Sequence, residues 1–235
     1  MVTRALVLAG GSGPQRAALD AAWPGWDAGC ELVVGADAGA LLAAPLGLAL
    51  DLVVGDFDSL GEPALEALAR AGVAIERSPT DKDASDTELA LLAAAARGAT
   101  SIVVLGAFGG RLDHALANVW ILCHPALAGR SVALLDDRTR VRLLDAADPP
   151  GSRPPAGLDL AGGPGGLVSL LPFDGPAIGV TTRGLRWALA GARLPAGISR
   201  GLSNEVVGPP AAPPRVELQG GRLLVIETTL IGSPP

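Results

Sequence analysis

Between Ala5 and Leu135, short apolar runs alternate with amphipathic stretches, and this alternation leaves a chain few ways to fold. Runs of apolar residues bounded by turn-forming residues predict strands at Ala5–Ala9, Glu31–Gly35, Leu52–Gly55, Val73–Glu76, Ser101–Leu105 and Ser131–Leu135. Helical spacing falls between them. Pro63–Ala71 places Leu65 and Leu68 on one face, Asp86–Arg97 carries Leu89, Leu91 and Leu92, and His114–Cys123 carries Leu116, Val119, Trp120 and Leu122. Strands alternating with helices imply βαβ units and a mostly parallel sheet covered on both faces.

The pattern breaks at the Pro- and Gly-rich stretch from Ala146 to Gly166, which suits neither a regular helix nor a central strand. Beyond it the spacing predicts short strands at Leu167–Pro172, Ala177–Thr182, Arg186–Leu189, Asn204–Val207, Arg215–Leu218 and Leu223–Thr228. Gln219-Gly220-Gly221-Arg222 reads as a hairpin turn. The expected fold class is α/β: an N-terminal, mostly parallel sheet with flanking helices over residues 1–144, a linker over 145–166, and a small all-β sandwich domain over 167–235.

Charge and composition narrow the function. A formal net charge of -6 argues against nucleic acid as a partner, because such binders need a basic face to displace counterions from phosphate. The apolar run at Ala5–Ala9 is too short for a signal h-region or a bilayer span, so a cytoplasmic protein without a membrane partner is expected. Cys30 and Cys123 lack metal-ligand spacing and make no disulfide framework, which fits a reducing compartment.

The chemistry gathers where the predicted strands end, the edge at which open parallel sheets bind ligands. Asp37 follows the second run, Asp56 and Asp58 follow the third, and Asp81, Asp83 and Asp86 follow the fourth. Carboxylates along one edge repel each other and call for a cation; hard oxygen ligands suit Mg²⁺. Ser85 and Glu88 match a capping box, so Asp86 also suits the first turn of a helix. Lys82 is the single lysine among 18 basic residues, and a compact ammonium among carboxylates suits a phosphate contact. After the fifth run, Gly106-Ala107-Phe108-Gly109-Gly110-Arg111 combines glycines that let backbone approach phosphate with an arginine that forks onto its oxygens. His114 reads as a supporting residue rather than a catalyst, since no partner for it is visible.

Taken in order, Ala36-Asp37-Ala38-Gly39-Ala40, GDFDSL at Gly55–Leu60, DKDASDTELAL at Asp81–Leu91 and GGRLDHALANV at Gly109–Val119 resemble the thiamine pyrophosphokinase family. Thr182-Arg183-Gly184-Leu185-Arg186-Trp187 and Gly201-Leu202-Ser203-Asn204-Glu205 resemble its later segments. The resemblance implies transfer of pyrophosphate from ATP to the hydroxyl of thiamine, giving thiamine diphosphate and AMP. It implies Mg²⁺ held by Asp37, Asp56, Asp58 and Asp86, and nucleotide contacts near Asp37, Lys82, Asp83, Gly109, Gly110 and Arg111. It implies catalytic roles among Asp56, Asp58, Asp86 and Asp113, and places Asp113, Ser203 and Asn204 near thiamine. It also implies a homodimer with active sites shared between chains. One departure is plain: Ala38 and Leu41 stand where the family usually has glycine and asparagine.

Three rivals compete with this expectation. Leu8-Ala9-Gly10-Gly11-Ser12-Gly13 resembles the opening of nucleotidyltransferases, but Gln15 stands where those have arginine, so a plain glycine turn is expected. A related pyrophosphokinase acting on a pterin alcohol would share the acidic edge. A non-catalytic nucleotide-sensing module would not need the intact Asp56, Asp58 and Asp86.

Overall fold

The computed structural model describes residues 3–146, 155–208 and 212–230. The chain divides into two compact units, Met1–Asp137 and Arg138–Pro235.

The first unit is built on six parallel strands: β1 (Arg4–Leu8), β2 (Leu32–Ala36), β3 (Leu52–Gly55), β4 (Ala74–Arg77), β5 (Ser101–Leu105) and β6 (Ser131–Leu135). Their spatial order is β4-β3-β2-β1-β5-β6. Every residue of β2 and β3 is buried, as expected of central strands covered on both faces. Helices α1 (Arg16–Ala22), α2 (Glu62–Arg70), α3 (Asp86–Ala96) and α4 (Leu112–Trp120) connect or follow the strands. Each strand read from the sequence lies within one residue of its expected place. Helix α1 was not expected: it has seven residues, buries only Leu19, and its N-cap Gln15 makes no side-chain cap. Leu6, Leu8, Leu19, Trp23, Trp26 and Leu105 pack in one cluster of this unit, and Val53, Phe57, Leu60 and Leu65 in another.

Chain direction makes β1 and β5 the switch point. From β1 the chain moves outward through β2, β3 and β4, then returns to place β5 on the other side of β1. The loops leaving β1 and β5 therefore diverge from neighbouring strand ends, which opens a crevice at the carboxyl edge. Short backbone bonds stitch these two loops together: the amides of Gly11 and Ser12 donate to the carbonyls of Gly106 (2.9 Å) and Phe108 (2.7 Å). A Cβ on Gly11 would stand 2.3 Å from the Phe108 oxygen, so no other residue fits there without moving the loop.

The second unit is all β among its described residues. It contains β7 (Thr139–Ala146), β8 (Ala156–Asp159), β9 (Leu167–Arg183), β10 (Ala192–Leu194), β11 (Asn204–Glu205), β12 (Arg215–Leu218) and β13 (Gly220–Thr228). The long strand β9 serves two sheets: its first half pairs with β13 and β11, and its last residues pair with β12. β7 extends the first sheet beyond β13, and β8 extends the second beyond β12. Leu144, Val168, Leu170, Val180, Val216, Leu218, Leu223 and Val225 fill a shared core between them. Buried Glu227 accepts from Arg140 (2.7 and 2.8 Å), Arg142 (2.8 Å) and the Ala161 amide (2.8 Å), so its charge is paired as burial demands.

Five expectations for this half need correction. The division lies at Asp137/Arg138 rather than after 144, because β7 pairs in full with β13 and belongs with the β unit. The Pro- and Gly-rich stretch is therefore not a linker between domains; it joins β7 to β8 inside one unit, and 147–154 lie outside the described residues. Gln219–Arg222 is not a hairpin, since β12 and β13 pair with other strands; the glycines carry the chain from one sheet to the other, with Gly221 at φ +82. Leu167–Pro172 and Ala177–Thr182 are halves of the one strand β9, bent where Asp174 takes φ 57. Arg186–Leu189 is irregular, and β10 follows instead.

Candidate active site

The crevice at the switch point is a cavity of about 630 Å³, within the size range of small-molecule sites. Its walls come from the ends of β1, β2, β3 and β5 and the starts of α3 and α4. Asp37, Asp56, Asp58 and Asp86 lie on one side, and Gly109, Gly110, Arg111 and His114 on the other.

Asp37 sits at the turn where β2 gives way to a 3-10 helix, Asp37–Leu42. It is buried, takes φ 45, and accepts the Leu60 amide at 3.2 Å. Gly39 explains part of the motif around it: a Cβ there would stand 2.0 Å from the Leu8 carbonyl oxygen of β1. Ala38, where the family usually has glycine, is not among the residues at positive φ, so its backbone does not call for glycine. Gly55 ends β3, and a Cβ on it would stand 3.1 Å from the Asp37 Cβ and 3.2 Å from an Asp86 oxygen. Phe57, between Asp56 and Asp58, takes φ 65 and is buried. Non-glycine residues at positive φ carry strain, and strain of this kind gathers at functional sites.

Asp37, Asp56 and Asp58 each offer a carboxylate oxygen, and these atoms lie within 4.8 Å of one another. Among the described residues this is the group able to hold a metal ion, and its all-oxygen donors fit Mg²⁺. Asp86 lines the same cavity but stands outside that group. It accepts from Lys82 at 2.8 Å. Lys82 also donates to Asp56 Oδ2 at 3.1 Å and to Ser78 Oγ at 3.0 Å. The Lys82 bond, and then the Asp58 amide, hold the Asp56 carboxyl below the usual carboxylate range. Burial works against the charge on Lys82, but its bonds to Asp86 and Asp56 outweigh that and raise its pKa. Asp83 is exposed and is not part of the cavity wall.

The expected capping box forms in half: Ser85 Oγ accepts the Glu88 amide at 3.2 Å and opens α3. Opposite, Gly109 and Gly110 take φ 85 and 66, backbone that favours glycine, and Arg111 leads into α4. Arg111 donates to Asp113 through Nε at 3.1 Å, and this exposed pair holds the Asp113 carboxyl down at about 2. Asp113 pairs with Arg111 and is not among the residues that line the cavity. Sequence reasoning passed over Ser12, Thr87 and Asn118, all cavity residues. Asn118 is buried and donates to the Ala107 carbonyl at 2.8 Å, tying α4 to the glycine loop.

In the second unit, Asn204 is buried and its amide is spent on backbone. It donates to the Trp187 carbonyl (2.8 Å) and accepts from the amides of Trp187 (3.0 Å) and Glu205 (2.9 Å). Ser203 takes φ 55 and donates its amide to Ser169 Oγ at 3.1 Å. Trp187 itself is 57% exposed, with the Arg186 guanidinium 5.2 Å from its ring centroid.

Comparison with known proteins points to one family. Residues 26–134 match the family model described as thiamin pyrophosphokinase, catalytic domain, and residues 158–212 match its vitamin B1 binding domain. A thiamine pyrophosphokinase of Bacillus subtilis is 25% identical over 177 residues, covering 75% of this chain and 78% of that protein. The crystal structure of a thiamin pyrophosphokinase family protein from Enterococcus faecalis superposes with a TM-score of 0.76 at 27% identity, covering 96% of this chain and 99% of the other. That of the Bacillus subtilis enzyme also gives 0.76, at 22% identity, over 97% and 99% of the two chains, a likeness of fold.

The Arg111–Asp113 pair yields a direct pH test. A carboxyl with a lowered pKa in the folded state lends stability that is present above its unfolded pKa, near 3.8, and is lost as pH falls through about 2. In a carboxyl-carbon NMR titration, Asp113 should stay ionised until pH approaches 2, and Arg111→Ala should return it towards 3.8. An Asp113 that titrates near 3.8 in the unaltered protein would refute the pairing. With matching models across both units and a carboxylate-lined crevice at the sheet's switch point, the chain belongs to the thiamine pyrophosphokinase family.

Proposed function

We propose that the protein transfers the pyrophosphoryl group of ATP to the hydroxyl of thiamine in the crevice at the carboxyl edge of its parallel sheet. The observation that carries this reading is the convergence of Asp37, Asp56 and Asp58 opposite Gly109, Gly110 and Arg111. One wall suits a cation and the other suits phosphate.

The thiamine hydroxyl oxygen attacks the β-phosphorus, and the bond from that phosphorus to the oxygen bridging it to the α-phosphorus breaks. AMP leaves with the oxygen, and the hydroxyl proton passes to a carboxylate or to water. Bound between Asp37, Asp56 and Asp58, Mg²⁺ would offset the charge of the phosphate chain. Gly110 leaves space for phosphate beside backbone amides, Gly109 lets the loop close on Ser12, and Arg111 supplies a planar cation at the helix start. Most of the rate then comes from positioning and fixed charge, as in phosphoryl transfer generally. Trp187 supports thiamine as acceptor: it presents an exposed aromatic face, a suitable platform for a planar cation, inside the segment that matches the vitamin B1 binding model.

A homodimer with shared sites belongs to the same reading. On α4, Leu112, Leu116 and Trp120 recur at four-residue spacing and are 73%, 58% and 60% exposed. The β unit exposes Trp187, Leu202 and Val207. Apolar surface of this kind gains from a second copy.

Two measurements decide. Purified protein with ATP, Mg²⁺ and thiamine should release AMP in step with thiamine diphosphate, and Asp58→Asn should slow turnover by about 100-fold. ADP as the stoichiometric product would reject pyrophosphoryl transfer. For assembly, inactive Asp58→Asn chains mixed with inactive Trp187→Ala chains should regain activity when differently tagged chains co-purify. Co-purification without activity would reject the shared site.

A further inference from the structure

Lys82 lies on the irregular segment between β4 and α3, with its ammonium largely buried. An ammonium has three donors. Here all three have acceptors: Asp86 Oδ1 at 2.8 Å, Ser78 Oγ at 3.0 Å and Asp56 Oδ2 at 3.1 Å. The sequence suggests a lysine free to reach phosphate, yet this one has no donor to spare. One of its acceptors, Asp56, also belongs to the carboxylate group suited to a metal ion.

Electrostatics gives this arrangement a purpose. Three acidic oxygens within 4.8 Å of one another repel strongly in a partly buried crevice. Asp37 draws on the Leu60 amide, and Asp58 accepts from the Ser59 hydroxyl at 2.9 Å. Those neutral donors offset little charge. The cation that does so is Lys82, and the choice of lysine in a chain otherwise served by arginine is physical. An ammonium is a compact charge close in scale to a metal ion, on a flexible stem that can withdraw, whereas a guanidinium would lock a carboxylate in a planar fork.

We propose that Lys82 is a resident counter-ion, which bridges Asp56 and Asp86 in the metal-free protein and competes with the divalent cation for Asp56. This rests on the metal reading of the carboxylate group given above. Lys82 keeps the cluster assembled without metal and sets how tightly metal binds. On metal binding it gives up Asp56, which frees one donor to turn towards the cavity, while Asp86 keeps hold of the ammonium.

The test uses the full chain stripped of metal, with Mn²⁺ as the probe and isothermal titration calorimetry as the readout. Lys82→Met keeps the apolar stem and removes the charge. It should bind Mn²⁺ about tenfold more tightly than the unaltered protein, within the usual range of coupling between linked ligands. It should also melt at lower temperature in chelator and regain more on adding Mg²⁺. Lys82→Gln, which keeps donors for Asp56 and Asp86, serves if the methionine variant does not fold, and should show the same tightening. Equal or weaker Mn²⁺ affinity in a folded variant overturns the counter-ion role while leaving the metal site standing. Failure of the unaltered protein to bind Mn²⁺ overturns both.

Discussion

Mutual repulsion among Asp37, Asp56 and Asp58 is the constraint on which the rest of this structure depends. Three carboxylates offering oxygens within 4.8 Å of one another are held together only by what surrounds them. The surroundings are backbone. β2 and β3 run side by side as buried parallel strands and end together, so the residues that follow them must meet. Gly39 lets the turn after β2 settle against the β1 carbonyl, and Gly55 leaves room between Asp37 and Asp86. Positive φ at Asp37 and Phe57 is the strain that remains.

The opposite wall follows from the same topology. Because β5 lies beside β1, its exit loop meets the loop leaving β1, and the two share backbone hydrogen bonds. This fixes the role of the first glycine-rich turn. The amides of Gly11 and Ser12 are engaged by the Gly106 and Phe108 carbonyls, so the turn braces the second loop. Gly110 is open, whereas Gly109 packs against Ser12, where a Cβ would stand 2.0 Å from its Oγ; Asn118 ties α4 to the carbonyl of Ala107 just before them.

Much of this was legible in the sequence, and what was not has physical reasons. Strands of the first unit announce themselves because both faces are buried, which makes them continuous apolar runs. The aspartates were legible because a strand followed by an acidic turn points to one sheet edge. Helix α1 was hidden by its brevity and single buried leucine. The β unit misled because its pairing is nonlocal: nothing near Gln219–Arg222 reveals that β12 pairs with β8 and β9 while β13 pairs with β7 and β9. The division of the chain was misplaced for the same reason, since only the pairing of β7 with β13 assigns β7 to the second unit. Site residues divide similarly. Lys82 was singled out by composition, but its saturation by Asp56, Ser78 and Asp86 is a matter of three-dimensional distance. The resemblance implies Asn204 near substrate; what the sequence did not reveal is that its amide secures the backbone of the exposed Trp187. A short polar side chain held by main-chain groups acts on what it positions.

Everything in this description of the crevice turns on whether a divalent cation belongs between the three aspartates. Crystals grown with Mn²⁺ and a non-hydrolysable ATP analogue, with anomalous scattering recorded at the manganese edge, answer that directly. The expected result is an anomalous peak within coordination distance of carboxylate oxygens from Asp37, Asp56 and Asp58, with the phosphate chain reaching towards Gly109 and Gly110. A fully occupied nucleotide with its manganese peak away from those aspartates, or with none at all, would contradict it.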